Sequence, residues 1–230
     1  MFFCHSTELR DDFPELAAGV LFAVGITDSA SVDAPIADLN TVAGARLAKG
    51  PEGEMPEIQA WRRAFSRMGL KPTQYRCASE ALLRRFRQEN ALPRLHPLVD
   101  LCNAVSMAFA IPVAVFDVAG ITGNLEVRHA TGKETYLTFS GQTEHPEARE
   151  VIFADDAGQA HARRWTNRQS GLSAVRDETK GVLIVAEAMH ASAPADIRKL
   201  VETLAGHLGA IWPVTPKAAI LDRASPRFEF

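Results

Sequence analysis

The sequence has few of the residues that build metal and disulfide sites. Only three cysteines occur in 230 residues, and none of them stands in a CxxC spacing. An odd number of cysteines without that spacing argues against a disulfide framework and against a thiolate zinc site. The seven histidines are scattered and form no HExxH motif, the helical signature of many zinc hydrolases. We therefore expect reduced thiols and neither a metal ion nor another cofactor.

Long apolar runs are also missing. The longest one near the N-terminus extends from Ala17 to Ile26, far short of the ~20 residues that a membrane-spanning helix needs. Acidic rather than basic residues precede it, which is the opposite of a secretory signal. The segment is typical of a buried strand, and we expect a cytoplasmic protein that does not enter a membrane.

No GxGxxG motif, phosphate-binding P-loop or internal repeat occurs. Helical spacing and capping signals predict helices over residues 33–49, 56–68, 79–93 and 97–110, with Ser79 as an N-cap. From residue 111 the hydrophobic period changes from 3.6 to 2, which predicts five strands before a last helix over 192–211. This order indicates an α+β fold, with mixed or antiparallel sheets packed against helices in a layered sandwich.

Domain organisation follows from the same pattern. We expect residues 1–60 to form a strand and helix extension packed on a core of residues 61–230, the whole being one compact unit. This length suits a single domain with an elaborate N-terminal part.

The net charge of −3 hides an uneven distribution. Between Arg62 and Arg94, nine basic residues stand against two acids, so this segment carries +7 and the remainder −10. A basic segment inside an acidic protein is a candidate footprint for a polyanion. An ordinary solvated helix face rich in arginine explains it equally well.

One amide interrupts the most apolar predicted helix, over residues 97–110. Asn103 shares a helix face with Val99, Ser106 and Met107 because residues three and four apart are neighbours. A buried amide without partners costs about 1–3 kcal/mol. Asn103 is therefore either a satisfied core amide that ties the helix to a strand or a polar group at the floor of a cleft.

A set of motifs around this helix follows one order. It consists of a Val-Asp pair, an Asn, a Pro-led strand that ends in Phe-Asp, and a strand that ends in Arg: Val99, Asp100, Asn103, Pro112, Phe116, Asp117 and Arg128. The stretch ADDAGQAHARRWTNRQS and Thr179 continue it. With these motifs, the region from Arg76 to Met189 resembles the B3/B4 editing domain of the phenylalanyl-tRNA synthetase beta subunit.

The resemblance implies a function. The editing domain hydrolyses the ester of amino acids that are wrongly attached to tRNA. Since these 230 residues contain no aminoacylation domain, it implies a free-standing relative that acts in trans on a mischarged aminoacyl-tRNA. One candidate substrate is tRNA-Arg that carries an arginine analogue such as canavanine. The implied partner is tRNA, not DNA or a membrane, and the oligomeric state stays open.

Site residues are carried over position by position. Asn103 matches the pocket asparagine of the family, and Cys102 stands in place of the preceding threonine. Ala114 replaces a histidine, while Trp165 and Thr166 replace a small pair that admits an aromatic ring. These bulkier residues favour a flexible, polar amino acid over tyrosine.

The glutamate of the family aligns with Val185, and Glu187 lies two residues on. Positions two apart share a face of a strand, so Glu187 is expected to point into the same cleft. We assign Asn103 and Glu187 as catalytic residues, through hydrogen bonds to the ester or amino group, orientation of water, or general base action. The expected substrate pocket comprises Cys102, Ser106, Ala114, Trp165, Thr166, Tyr75 and Ser79. The expected tRNA-binding residues are Arg62, Arg63, Arg84, Arg85, Arg87, Arg164 and Arg168.

Two other functions remain open. The absent histidine at Ala114 and the displaced Glu187 are compatible with a non-catalytic module that binds tRNA or an aminoacyl group. The other is a small-molecule hydrolase that uses the same pocket.

Asp117 and Arg128 are expected to serve structure, as a strand end and an ion pair. No Ser-His-Asp triad is visible, and an activated ester does not require one.

Overall fold

Two β-sheets face each other, and two helices pack on the outer face of one of them. A computed structural model describes all 230 residues. The helices are α1 (Thr7–Asp12), α2 (Asp33–Leu47), α3 (Pro56–Arg67), α4 (Ala78–Glu89), α5 (Pro97–Phe109) and α6 (Ala193–Ile211), with short 3₁₀ turns at Glu52–Glu54 and Val118–Gly120.

The strands are β1 (Phe2–His5), β2 (Ala17–Val24), β3 (Val113–Asp117), β4 (Leu125–His129), β5 (Tyr136–Leu137), β6 (Thr143–Glu144), β7 (Val151–Asp155), β8 (Ala160–Arg163), β9 (Arg168–Gln169), β10 (Gly181–Ala188), β11 (Lys217–Leu221) and β12 (Arg227–Glu229). One sheet has the order β12-β1-β4-β7-β8-β9 and the other β11-β2-β10-β3, with β5 and β6 as a separate pair. Only β1 and β4 pair in parallel, and every other pair of neighbours is antiparallel. The predicted α+β class with mixed sheets is confirmed.

The central strand β10 separates two cores. Its side chains alternate, so that Leu183 and Val185 pack towards the six-stranded sheet while Ile184 and Ala186 pack beneath the helices. Side chains two apart lie on one face of a strand, which puts Glu187 between the two sheets. The alternating pattern of β10 therefore determines that the Glu187 carboxylate lies between the sheets and not beneath the helices.

Helix α6 packs directly on β2. Its apolar stripe, predicted from the sequence, is buried at Ile197, Leu200 and Leu204. Gly19 of β2 allows the close approach, since a Cβ atom there would lie 2.3 Å from Cγ2 of Val201. None of the six helices combines the length and hydropathy that a membrane span requires.

Some local expectations differ from the structure. Helix α4 begins at Ala78 with Cys77 as its N-cap, and Ser79 lies buried in the first turn, so Ser79 is not the cap. Six strands were not predicted: β1, β6, β8, β9, β11 and β12. They have two to five residues each, and an alternating pattern of that length gives little signal. Through β1 and β2, the first sixty residues contribute a strand to each large sheet.

Candidate functional site

Two neighbouring cavities flank strand β3. The larger, about 530 Å³, is the Asn103 cleft, formed by α5, one side of β3 and residues 174–178. The smaller, about 200 Å³, is the Glu187 pocket, which opens between the two sheets. Val113 and Gln169 line both cavities. Val115 faces the cleft and Ala114 faces the pocket, because successive side chains of β3 point to opposite faces of the sheet. Strand β3 therefore separates the two cavities.

The Asn103 cleft contains polar groups that the protein leaves unpaired. Asn103 is half-buried, lines the cleft, and makes no side-chain hydrogen bond within the chain. His96 also lines it and is almost wholly buried. Its Nδ1 accepts a hydrogen bond from the Leu98 amide, 3.2 Å away, and its Nε2 is buried without a partner. Burial lowers the pKa of His96, which favours the neutral ring with its proton on Nε2.

The Glu187 pocket contains a buried carboxylate with one free oxygen. Glu187 is 1% exposed, and its Oε1 accepts hydrogen bonds from Nε2 of His5 at 2.7 Å and Nε1 of Trp165 at 2.9 Å. Its Oε2 has no partner in the protein, and the residue lines the pocket. The free oxygen is therefore available to a donor on a ligand.

Arg10 sets the tautomer of His5. Its Nη2 lies 3.3 Å from Nδ1 of His5, and because a guanidinium only donates, Nδ1 accepts and Nε2 carries the proton towards Glu187. Burial lowers the pKa of Arg10, and the nearby Glu187 opposes that shift. A chain of three side chains thus fixes the carboxylate from behind.

Trp165 holds Glu187 from the side. Arg164 and Trp165 have left-handed backbones, with φ of +46° and +57°, a conformation that costs non-glycine residues about 1 kcal/mol or more. The turn is held by hydrogen bonds from the Arg164 amide to Glu150 and from the Trp165 amide to the Val151 carbonyl. The indole then packs edge-on against Trp61, with ring centroids 5.0 Å apart. Its N–H is aimed at Glu187 as a result.

Thr166 and Ala114 complete the smaller pocket. Oγ1 of Thr166 is buried without a hydrogen-bond partner, and Arg168 stands at the wall, bound to Glu144 at 3.1 Å. The pocket therefore offers a carboxylate oxygen, a hydroxyl and small apolar walls. An amino acid with a cationic group matches these three features.

A protein-family model matches most of the chain. The B3/4 domain model matches residues 60–204, more than half of the chain. The chain belongs to the B3/4 domain family. Phenylalanine–tRNA ligase beta subunits are similar to parts of it: that of Rhodopseudomonas palustris is 37% identical over 91 residues and that of Shewanella oneidensis 27% over 116 residues.

The matched regions are short compared with those relatives. They cover 39% and 50% of this chain but 11% and 14% of the two ligase subunits. A crystal structure of an N-terminal fragment of the phenylalanyl-tRNA synthetase beta subunit from Pyrococcus horikoshii aligns with 94% of this chain and 49% of its own, at 9% identity and a TM-score of 0.48. A likeness this low adds nothing to the family assignment.

This B3/4 domain brings together only part of the expected site. Ala114, Trp165, Thr166 and Glu187 line one pocket, whereas Asn103 lines the neighbouring cleft. The single cleft expected for both catalytic candidates is thus divided, because α5 covers the face of the sheet opposite to Glu187. Glu187 does share a face and a pocket with Val185.

Four expected pocket residues lie elsewhere. Cys102 is buried in the core under α5, and burial raises the pKa of its thiol, so a nucleophilic role has no support. Ser106 donates to the Ile111 carbonyl at 2.7 Å, and Ser79 contacts Cys77. Tyr75 lies outside both cavities, beneath the Arg164 guanidinium at 4.8 Å. Each of these side chains is occupied by a structural contact.

Acidic residues neutralise much of the basic segment. Arg62 binds the buried Glu80, and Arg87 binds the buried Glu52 at 3.2 Å. Arg85 pairs with Glu89 in the next helical turn. Among the expected tRNA-binding arginines, Arg63, Arg84 and Arg164 have no ion pair. These three arginines are the expected tRNA-binding residues whose charge no neighbouring carboxylate offsets.

Asp117 and Arg128 stabilise loops, as expected. Asp117 accepts a hydrogen bond from Thr179 at 2.6 Å. Arg128 binds Glu134 at 2.6 Å, whose carboxylate also accepts from the Thr131 amide. Burial alone would raise the pKa of Glu134; these hydrogen bonds outweigh it and lower the pKa to about 2.

Ser173, His161 and Asp155 form a buried Ser-His-Asp contact. Oγ of Ser173 lies 2.8 Å from Nδ1 of His161, and Nε2 of His161 lies 3.2 Å from Asp155. All three are buried and none lines the cleft or the pocket. Asp155 also accepts amide hydrogen bonds from Thr122 and Gln159. This network anchors the segment that precedes the wall of the cleft.

One surface cluster offers atoms that metals bind. Ligand atoms of Glu8, Asp12 and His129 lie within 4.8 Å of one another. Asp12 is bound to His129 at 2.9 Å and Glu8 to Arg149 at 3.5 Å. Both carboxylates thus already have a partner.

Sequence reasoning missed His96 as a lining residue of the cleft, and His5 and Arg10 as the side chains behind Glu187. His5 and Glu187 are 182 residues apart, and no motif links them. The only local signal was a histidine within a short apolar N-terminal segment.

Proposed function

We propose that this B3/4 domain hydrolyses the ester of a mischarged aminoacyl-tRNA, with the amino acid bound in the Glu187 pocket. Family membership and the similarity to phenylalanine–tRNA ligase beta subunits support tRNA as the partner. The observation that carries the proposal is one small pocket lined by Glu187, whose Oε2 accepts no hydrogen bond from the protein, and by Thr166, whose Oγ1 is buried without a partner.

A flexible cationic side chain suits this pocket. The Trp165 indole packs against Trp61 and donates its N–H to Glu187. The family pattern has a small pair at Trp165 and Thr166 that admits an aromatic ring, so the indole leaves less room for such a ring. A carboxylate fixed through Oε1 presents its free Oε2 to an ammonium or guanidinium group, and such charge-assisted hydrogen bonds are strong. An arginine analogue such as canavanine on tRNA-Arg is the substrate that we propose to test first.

The reaction needs little beyond placement. Water adds to the carbonyl carbon, the bond to the ribose oxygen breaks, and that oxygen takes up the proton that the water loses. Because the ester is already activated, positioning supplies much of the acceleration. Glu187 orients the amino acid or accepts the water proton, and Asn103, in the adjoining cleft, lies on the tRNA side of the ester.

The test is a deacylation screen. Purified protein is mixed with tRNAs charged with labelled standard and non-protein amino acids, and the release of amino acid is measured. We expect amino acid to be released from at least one mischarged tRNA. Glu187→Gln slows this release about tenfold or more, since a charged hydrogen bond is worth about 1.5–3 kcal/mol. Glu202→Gln, on the exposed face of α6, is the matched control.

Other outcomes would decide against the proposal. Tight tRNA binding without release across the panel identifies a non-catalytic module. Equal rates on small aminoacyl esters and on aminoacyl-tRNA identify a small-molecule hydrolase. Unchanged release by Glu187→Gln removes the Glu187 pocket from the reaction.

A further inference from the structure

We infer that the Asn103 cleft binds the terminal nucleoside of the tRNA acceptor end, with its base stacked on Phe139. This inference rests on the proposed function, because the ester joins the amino acid directly to that nucleoside. The two cavities share Val113 and Gln169. The cavities therefore adjoin at these residues, and a ligand with its amino acid against Glu187 is expected to extend into the Asn103 cleft.

The lip of the cleft carries exposed apolar side chains. Phe139 is 73% exposed and Leu95 is 69% exposed, the two highest values among the exposed large apolar residues of the chain. Both line this one cleft, from segments that are distant in sequence. An exposed aromatic ring at the mouth of a cavity is the group on which single-stranded bases stack.

The unpaired polar groups inside match the edge of a base. Asn103 offers a donor and an acceptor on one side chain, the combination that pairs with adenine. Nε2 of His96 is a buried donor without a partner in the same cleft, suited to a ring nitrogen or a ribose oxygen. Buried donors of this kind are normally satisfied, and a nucleoside would satisfy both residues.

The charge of the cleft selects a nucleoside over a phosphate. Arg176 at its wall is accompanied by Asp177 and Glu178, so the wall has a net negative charge. Val99, Val113 and Val115 supply apolar surface for a flat ring. Phosphates would remain outside the cleft.

The cleft is formed before any ligand binds. The segment 174–178 follows Ser173, which is bound to His161 at 2.8 Å, and precedes Thr179, which is bound to Asp117 at 2.6 Å. The Gly171 amide donates to the Leu137 carbonyl at 2.9 Å, tying this wall to the hairpin that carries Phe139. Little ordering is then required on binding, which favours affinity.

The experiment measures binding without turnover. The probes are adenosine and a 3′-aminoacylamino-3′-deoxyadenosine, whose amide resists hydrolysis. Phe139→Ala and Asn103→Ala each raise the Kd of the analogue about tenfold, as expected for one stacked base or one lost polar contact. Phe139→Tyr keeps the wild-type Kd. Val42→Ala, another exposed apolar residue, is the control that leaves it unchanged.

The experiment distinguishes a failure of the nucleoside site from a failure of the proposed function. If neither Phe139→Ala nor Asn103→Ala changes the Kd while Glu187→Gln abolishes deacylation, the nucleoside site is overturned and the proposed function stands. If no tRNA is deacylated but adenosine binding depends on Phe139, the nucleoside site stands and the hydrolase does not. Because Phe139 is exposed, its variants are expected to melt at the wild-type temperature, so a change in Kd reports the cleft itself.

Discussion

Replacing Glu187 tests whether its carboxylate both stabilises the fold and serves the pocket. Glu187→Ala leaves the N–H groups of His5 and Trp165 buried without an acceptor. Each such group costs about 1–3 kcal/mol, so the variant loses about 2–6 kcal/mol of a stability that is typically 5–15 kcal/mol. Glu187→Gln keeps an oxygen for both donors and loses about 1–2 kcal/mol, because neutral acceptors bind less strongly than charged ones.

Comparison of the two variants isolates the hydrogen bonds. Both remove the buried charge, so any relief of its desolvation is common to them. The free energy of unfolding is measured in urea by tryptophan fluorescence, with circular dichroism as a second probe. Deacylation is measured on the same samples, and the glutamine variant is expected to be folded and slow.

One result would refute this account of the pocket. If Glu187→Ala is as stable as Glu187→Gln, the two N–H groups have found water or other acceptors, and Glu187 is not the group that holds them. The conclusion that Oε1 of Glu187 accepts both hydrogen bonds and leaves Oε2 for a ligand would then fail as well. Glu202→Gln again serves as the control for the substitution itself.

Three further predictions concern packing, acid stability and charge. Gly19→Ala lowers the free energy of unfolding by about 1–3 kcal/mol in urea, since the new methyl group collides with α6. Glu134 has a pKa of about 2 against an ordinary value of 4.5. It therefore contributes about 3 kcal/mol to the free energy of unfolding above pH 4.5, and this contribution is lost as the pH falls towards 2. A Glu134→Gln variant lacks this loss when the free energy of unfolding is measured against pH. Arg63→Glu combined with Arg84→Glu weakens tRNA binding and lowers the slope of log K against log salt by about 2, whereas Lys199→Glu on α6 leaves the slope unchanged.

Periodic elements were predictable because each carries its own signal. The helix expected over residues 97–110 is Pro97–Phe109, since Pro97 suits a first turn and Pro112 ends the helical stretch. The stripe of α6 and the shared face of Val185 and Glu187 follow from the 3.6 and 2 periods alone. In each case the information lies within about twenty consecutive residues.

The polar interior was not predictable, because its partners are far apart in the chain. His5 meets Glu187 across 182 residues, through a four-residue strand whose place in the sheet depends on β4 and β12. The same limit applies to the basic segment. Arg87 is neutralised by Glu52 and Arg94 by Asp33, and neither pairing follows from charge counts.

The division of the site follows from one strand of five residues. Val113 and Val115 line the Asn103 cleft, while Ala114 faces the Glu187 pocket, because successive side chains of a strand point to opposite faces. The amide on α5 and the carboxylate on β10 therefore lie on opposite sides of β3, and no rotation of either side chain brings them into one cavity. A substrate that uses both must extend around the edge of the sheet, as we propose for an amino acid esterified to a nucleoside. A free amino acid could occupy only one of the two cavities, so the proposed function requires both of them and a small-molecule hydrolase requires only one.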